Sequence, residues 1–215
     1  MSMRHQILFL VLIVAAFFIV SGCAQQQQQA TDTGQQAQQQ EQAAKQTQQK
    51  VDIPEGESYL GKSDLFVIST KQLSTKLDAL AKEKYSDACL ISVLGSYVSP
   101  TELGKAAIWS YKYYSKAQNK AVTFSAHTKE TIGGADVFAA PLDTRVFMDE
   151  SYLKCIVFSE IVDSTDAVKA VSDAASYTGG ITLGENTDTN LIEYSFVSSD
   201  ITKSVRVNAK TGELL

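Results

Sequence analysis

Histidine, the commonest general base and a frequent metal ligand, occurs only twice in this chain, as His5 and His127. His5 precedes a long apolar run, so a histidine-based catalytic set or zinc site would have to rest on His127 alone. No HExxH, paired CxxC or GxSxG motif is present. His127 follows the alternating run Val122–Ala126 among polar neighbours. That setting favours a solvated strand-end histidine over a catalytic or metal-bound one.

The other polar clusters carry equally bland readings. Gly133-Gly134 lies in TIGGADVF without the Lys-Ser or Lys-Thr of a phosphate loop, and reads as a turn. Asp143, Asp149 and Glu150 gather near the middle of the folded region. Calcium takes about six to eight oxygens in close order, which this spacing does not supply, so a solvated acidic linker is expected. The aromatic group is the one feature with the chemistry of a recognition surface. In strict alternation Trp109, Tyr111 and Tyr113 share a face, while Ser110, Lys112 and Tyr114 share the other. Aromatic side chains at this spacing serve either as core or as an interaction surface. Both readings stand at this stage, with core packing favoured.

The elements that must position these residues begin at about Val51. Residues 7–20 read ILFLVLIVAAFFIV, and residues 24–50 are mostly Gln and Ala with no larger apolar side chain. The first segment has the length of a secretory signal's apolar region and is short for a membrane span. The second cannot bury enough surface to offset its ordering entropy, and reads as a disordered tether. As a flexible coil it spans roughly 30 Å, root mean square. About 165 residues remain for a core, enough to fold without a metal. Net charge is -5 and the lysines are scattered. The basic stripe of a nucleic-acid binder is absent, as is a polybasic lipid-headgroup patch.

At the junction stand Val20, Ser21, Gly22 and Cys23. This order resembles the lipobox of prokaryotic membrane lipoproteins. The resemblance implies that 1–22 is a signal peptide, that Cys23 is lipidated on its thiol, and that the protein is held on the cell membrane facing outside the cytoplasm. In an exported protein the remaining cysteines, Cys89 and Cys155, invite a disulfide across a loop of about 65 residues. Two buried thiols acting as small hydrophobes are the alternative.

Inside the folded region a pair of stretches look alike. Tyr111–Thr128 aligns without a gap with Tyr194–Thr211, setting Tyr113 against Phe196 and Val122 against Val205. Each is preceded by a helix-like stretch, residues 71–85 and 164–177. Ahead of those lie the β-type runs Leu65–Ile68 and Cys155–Phe158. Asp163 or Ser164 caps the second helix. The expected fold is α+β, two related halves (51–140 and 141–215), each a helix packed on an antiparallel sheet. The close of the chain, Val205–Leu215 with its Thr211-Gly212 turn, resembles the end of a PepSY domain. That resemblance implies a small secreted module that binds a protein or restrains a peptidase.

These readings converge on a membrane-anchored, non-enzymatic interaction module, without cofactor, metal or nucleic acid, whose partner is another exported protein. A small-ligand or solute-binding lipoprotein is the second expectation. An envelope hydrolase is the third, weakened by the missing nucleophile–base pair.

Overall fold

Alternation of apolar and polar residues is strongest from Ala106 to Thr131, and that stretch forms the middle of the sheet. The structure, a computed structural model, describes residues 51–144 and 154–215. Among them are the strands β1 (Ser58–Ser63), β2 (Cys89–Val98), β3 (Ala106–Ser115), β4 (Lys120–Thr131), β5 (Gly134–Thr144), β6 (Gly180–Asn186), β7 (Leu191–Val197) and β8 (Ser204–Asn208). All eight belong to one sheet in the order β1-β5-β4-β3-β2-β6-β7-β8. Every pairing is antiparallel. Strands β2 to β5 form a meander, β1 closes its outer edge, and β6 pairs with β2 through Val93↔Leu183 and Gly95↔Ile181.

This corrects the expected α+β fold of two helix-on-sheet halves. The β2–β6 pairing fuses the strands of both supposed halves into one sheet, within a unit spanning Ile53–Leu215. Only the first helix has length: α1 (Ser74–Lys84) buries Leu77 and Ala81, and Lys82 and Lys84 lie in its last turn, where the helix dipole favours cations. The stretch 164–177 forms a four-residue helix, α2 (Ser164–Ala167), and single 3-10 turns at Val168–Ala170 and Ala174–Ser176. β-branched Val168 and Val171 and the backbone-competing Ser172 and Asp173 account for the break. Asp173 itself adopts a left-handed φ of 53°. Without a second long helix the strand-helix-hairpin order occurs once, so the internal repeat and the PepSY-like helix ahead of three strands are corrected with it. Nor is Leu65–Ile68 a strand. Ile68 alone bridges to Ala106, and Leu65 and Phe66 are exposed. Cys155–Phe158 is likewise a crossing segment, held to the sheet where the Ile156 amide donates to the Leu90 carbonyl at 2.7 Å.

One face of the sheet is the core. Trp109, Tyr111, Tyr113, Val122, Phe124, Ile181, Leu183, Tyr194 and Phe196 are buried there with Leu77 of α1 and Ile156, Phe158 and Ile161 of the crossing segment. Burying a side chain of this size contributes about 1.5–3 kcal/mol. A bulge in β2 between Leu90 and Ser92 sends both Leu90 and Val93 inward and Ile91 to the other face, beside Tyr114 and Ala121. Cys89 and Cys155 are joined by a disulfide, their Cα atoms 5.4 Å apart. The opposite face carries Ser92, Ser110, Thr123 and Ser125, all half-buried, with Leu94 at 47% exposure. Cys23, the apolar run, the glutamine tract, Asp149 and Glu150 lie outside the described residues, as does the side chain of Asp143.

Candidate functional site

Trp109, Tyr111 and Tyr113 are fully buried, so the interaction-surface reading of these three is corrected and core packing stands. Each uses its polar end to fasten α1 or the chain leading into it. The Trp109 indole N–H donates to the Ile68 carbonyl at 2.9 Å, and the Tyr111 hydroxyl to the Thr70 carbonyl at 2.9 Å. The Tyr113 hydroxyl donates to Asp78 Oδ1 at 2.7 Å. Burial pushes the Tyr111 hydroxyl pKa well above its usual value, with Tyr194 and Asp163 adding to it. Burial also raises that of Tyr113, helped by its hydrogen bond to Asp78.

His127 sits within β4 rather than at a strand end. Its ring lies 6.0 Å from that of Phe138, centroid to centroid, on the open face of the sheet, and its Nε2 is 3.7 Å from Glu57 Oε2. Tyr59 covers Phe138 from the other side, 5.7 Å between centroids. Gly133 and Gly134 form the β4–β5 turn, with φ of 85° and 153°.

A polar hub whose only sequence signal was a helix cap centres on Asp163. Its carboxylate accepts from Ser69 Oγ at 2.6 Å, Thr70 Oγ1 at 3.0 Å, the Lys71 amide at 3.3 Å and the Ser164 amide at 2.7 Å. The Tyr194 hydroxyl lies 3.0 Å from Thr70 Oγ1 and donates to the Val162 carbonyl at 3.0 Å. Burial raises the Tyr194 pKa, the Thr70 hydrogen bond lowers it, and nearby Asp163 and Asp166 raise it further. The Ser69 and Thr70 hydroxyls give their protons to the Asp163 carboxylate and Tyr194 gives its own to a carbonyl, so the arrangement works as a clamp. It ties residues 68–71 to residues 161–164, distant in sequence. The buried hydrogen bond from the Thr70 amide to Ser164 Oγ, at 3.1 Å, belongs to the same clamp.

The open face carries a trough of about 400 Å³ over β2, β6 and β7. Small side chains make it: Ser92, Thr182 and Ser195, with Gly184 offering none, while Leu94 forms one wall. Glu193, on the same lining, is 8% exposed. Its Oε1 accepts from Asn186 Nδ2 at 2.9 Å and lies 3.5 Å from an Arg206 guanidinium nitrogen; its Oε2 has no partner. In sequence, Glu193 is an ordinary polar residue of the alternating run LIEYSFV, and only the turn of β7 toward Arg206 and Asn186 makes it notable. A second cleft, about 350 Å³, is rimmed by Lys154, Glu160, Asn208 and Lys210. Its charges are already paired, Lys210 with Glu160 at 3.1 Å and Lys154 with Glu185 at 3.4 Å. Among the described residues no three His, Cys, Asp or Glu side chains gather to hold a metal ion. No protein-family model matches the chain, and neither a curated protein nor a solved structure matches it.

Proposed function

We propose that this is a non-enzymatic, lipid-anchored exported protein that binds another exported protein through the open face of its sheet. The observation that carries the reading is the one-sidedness of the sheet. Helix α1, the crossing segment and the 3-10 turns bury one face. The other holds the small Ile91–Tyr114–Ala121 cluster, the Tyr59–Phe138–His127 contacts and the Glu193–Asn186–Arg206 group, with no helix laid across them among the described residues. Antiparallel sheets commonly pack one face on the core and leave the other, more polar face solvated. Cysteine use supports the address. The chain has three cysteines, Cys89 and Cys155 satisfy each other, and disulfides belong to oxidising compartments outside the cytoplasm. Cys23 is left over, at the position where lipid would be attached.

The test is a photo-crosslinking residue placed at Leu94 in the full chain, in the cells that make it. A protein adduct from position 94, and none from Glu83 on the outer side of α1, is the expected outcome. Adducts from both positions alike, or from neither, would sink the docking reading. Fatty-acid labelling that persists in a Cys23→Ser chain would sink the anchor separately. A small-ligand lipoprotein is the second reading, favoured by the trough, whose volume falls in the range of about 300–1,000 Å³ typical of small-molecule sites. It predicts no protein adduct at position 94.

A further inference from the structure

The two ends of the sheet are built from different turn residues. At one end lie the β3–β4 turn (116–119), the β6–β7 turn (187–190) and the reversal after β8 (209–213). Positive φ there falls on Asn119 at 48°, Asn190 at 57° and Gly212 at 74°. These are the residue types that tolerate left-handed backbone. At the other end lie the β2–β3 turn (99–105), the β4–β5 turn (132–133) and the β7–β8 turn (198–203). Positive φ there falls not only on Gly104, Gly133 and Gly134 but also on Tyr97 at 56° and Ile201 at 55°, and a bulky or β-branched residue is strained in that region. Burial returns little for it: Tyr97 is 76% exposed, Ile201 is 78% exposed, and Ile132 at the β4–β5 apex is fully exposed. Leu103, in the β2–β3 turn, is exposed as well.

Strain and exposure together call for a contact beyond the fold. We infer that this end of the sheet rests on the membrane surface, with Tyr97, Ile132 and Ile201 entering the headgroup region. The inference rests on the anchored, exported reading above. A bilayer is the occupant that the spacing favours. Strand β2 stands between the other two hairpins in the sheet order, so the β4–β5 and β7–β8 turns lie about 12 Å to either side of it, measured across the strands at the usual strand spacing. The neighbouring turn residues are polar: Ser99, Thr101, Ser198 and Thr202. Protein hot spots cluster in one packed centre, whereas an interface of lipid accepts separate points, and Tyr is suited to the headgroup level. Charge near the tips is mixed, Glu102 and Asp200 against Lys105 and Lys203, so the contact is apolar and insensitive to salt. Membrane attachment by a single lipid is firm when a second signal joins it. The turn tips supply that signal.

The experiment places a photo-crosslinking residue at position 132 or 103 of the full chain, in its own membrane, with positions 117 and 188 of the opposite end as controls. Lipid-adducted peptides should exceed the controls at least tenfold, with the same yield after salt is raised. The double variant Tyr97→Asn, Ile201→Asn, whose new residues suit the left-handed backbone, should keep its circular dichroism and lower the lipid adduct at 132 several-fold. Equal adducts at both ends, or a protein adduct at 132 and 103, would overturn the inference while leaving the anchor intact. Recovery of the whole chain in the soluble fraction would overturn both.

Discussion

Raising the pH should unfold this protein through its tyrosines. Tyr111, Tyr113 and Tyr194 are buried, and burial, the first cause for each, raises all three pKa values above the ordinary phenol value. In the unfolded chain they ionise near pH 10. Below that pH both states are protonated and the stability these tyrosines contribute is present in full. Above it the unfolded state loses protons that the folded state keeps, so stability falls as pH rises. Each tyrosine removes about 1.4 kcal/mol per pH unit over that window. Three together remove about 8 kcal/mol by two units above pH 10, within the range of about 5–15 kcal/mol that holds a typical domain together. Alkaline unfolding is therefore expected between about pH 11 and pH 13. Tyrosinate absorbance at 295 nm should rise in two phases. The later phase belongs to the buried set, which should ionise together with the loss of circular dichroism. A Tyr113→Phe chain should lose one proton from the cooperative phase, since Asp78 is exposed enough to keep water as a partner. Full ionisation of all the tyrosines while the circular dichroism remains native would refute the reasoning.

Other perturbations test the fastenings of the fold. A Cβ at Gly95 would stand 2.6 Å from the Trp109 ring, so Gly95→Ala should cost about 1–3 kcal/mol by overpacking, measured by urea denaturation; an unchanged midpoint would mean that the indole moves freely. The disulfide closes a separation of 66 residues, and a Cys89→Ala, Cys155→Ala chain should lose about 4 kcal/mol in the chain-entropy argument, seen as a lower urea midpoint than the oxidised protein. Asp163→Ala strands the Ser69, Thr70 and Ser164 donors and should cost about 3 kcal/mol, with faster hydrogen exchange in residues 68–71 and 161–164 before the rest of the sheet. Ile201→Asn should raise stability by about 1 kcal/mol through relief of the left-handed strain, read from thermal melts without membranes; a loss of stability would show that Ile201 packs.

How much of this was legible follows from what alternation can encode. The runs Ala106–Tyr114, Ala121–Thr128 and Ile192–Phe196 carry period two, and all three are strands of antiparallel hairpins. Alternation says that Trp109, Tyr111 and Tyr113 share a face; it does not say which face is covered. Coverage is decided by α1 and by Phe158, Ile161 and Val168 arriving from a distant segment. The β2–β6 pairing, which merged the supposed halves, joins Val93 to Leu183. Nothing in either strand names its partner, because any two one-sided strands align equally well. The Ala and Val spacing of 164–177 suited a helix, but burying Ala167, Val168 and Val171 needs only a short helix and a 3-10 turn once Asp163 is held by Ser69 and Thr70.

The features behind the proposed contacts were hidden for a related reason: each violates the preference of its residue type. Glu193 is a carboxylate with an unpartnered, buried oxygen, in a run that reads as a plain strand. Ile201 and Tyr97 occupy backbone that favours Gly or Asn, at turns whose other residues look ordinary. Sequence patterns assign each residue to the setting that suits it, and so pass over the residues that do not suit theirs. Those are the positions where the isolated fold is less stable than it could be. The strain at Tyr97 and Ile201 lies at one end of the sheet, and the unpaired Glu193 oxygen lies in a trough on its open face. The buried face is fastened instead by satisfied groups, the Asp163 clamp and the Cys89–Cys155 bond. The costs left in the fold thus fall away from its buried face, at one end of the sheet and in the open-face trough, and those are the places where the proposed contacts are drawn.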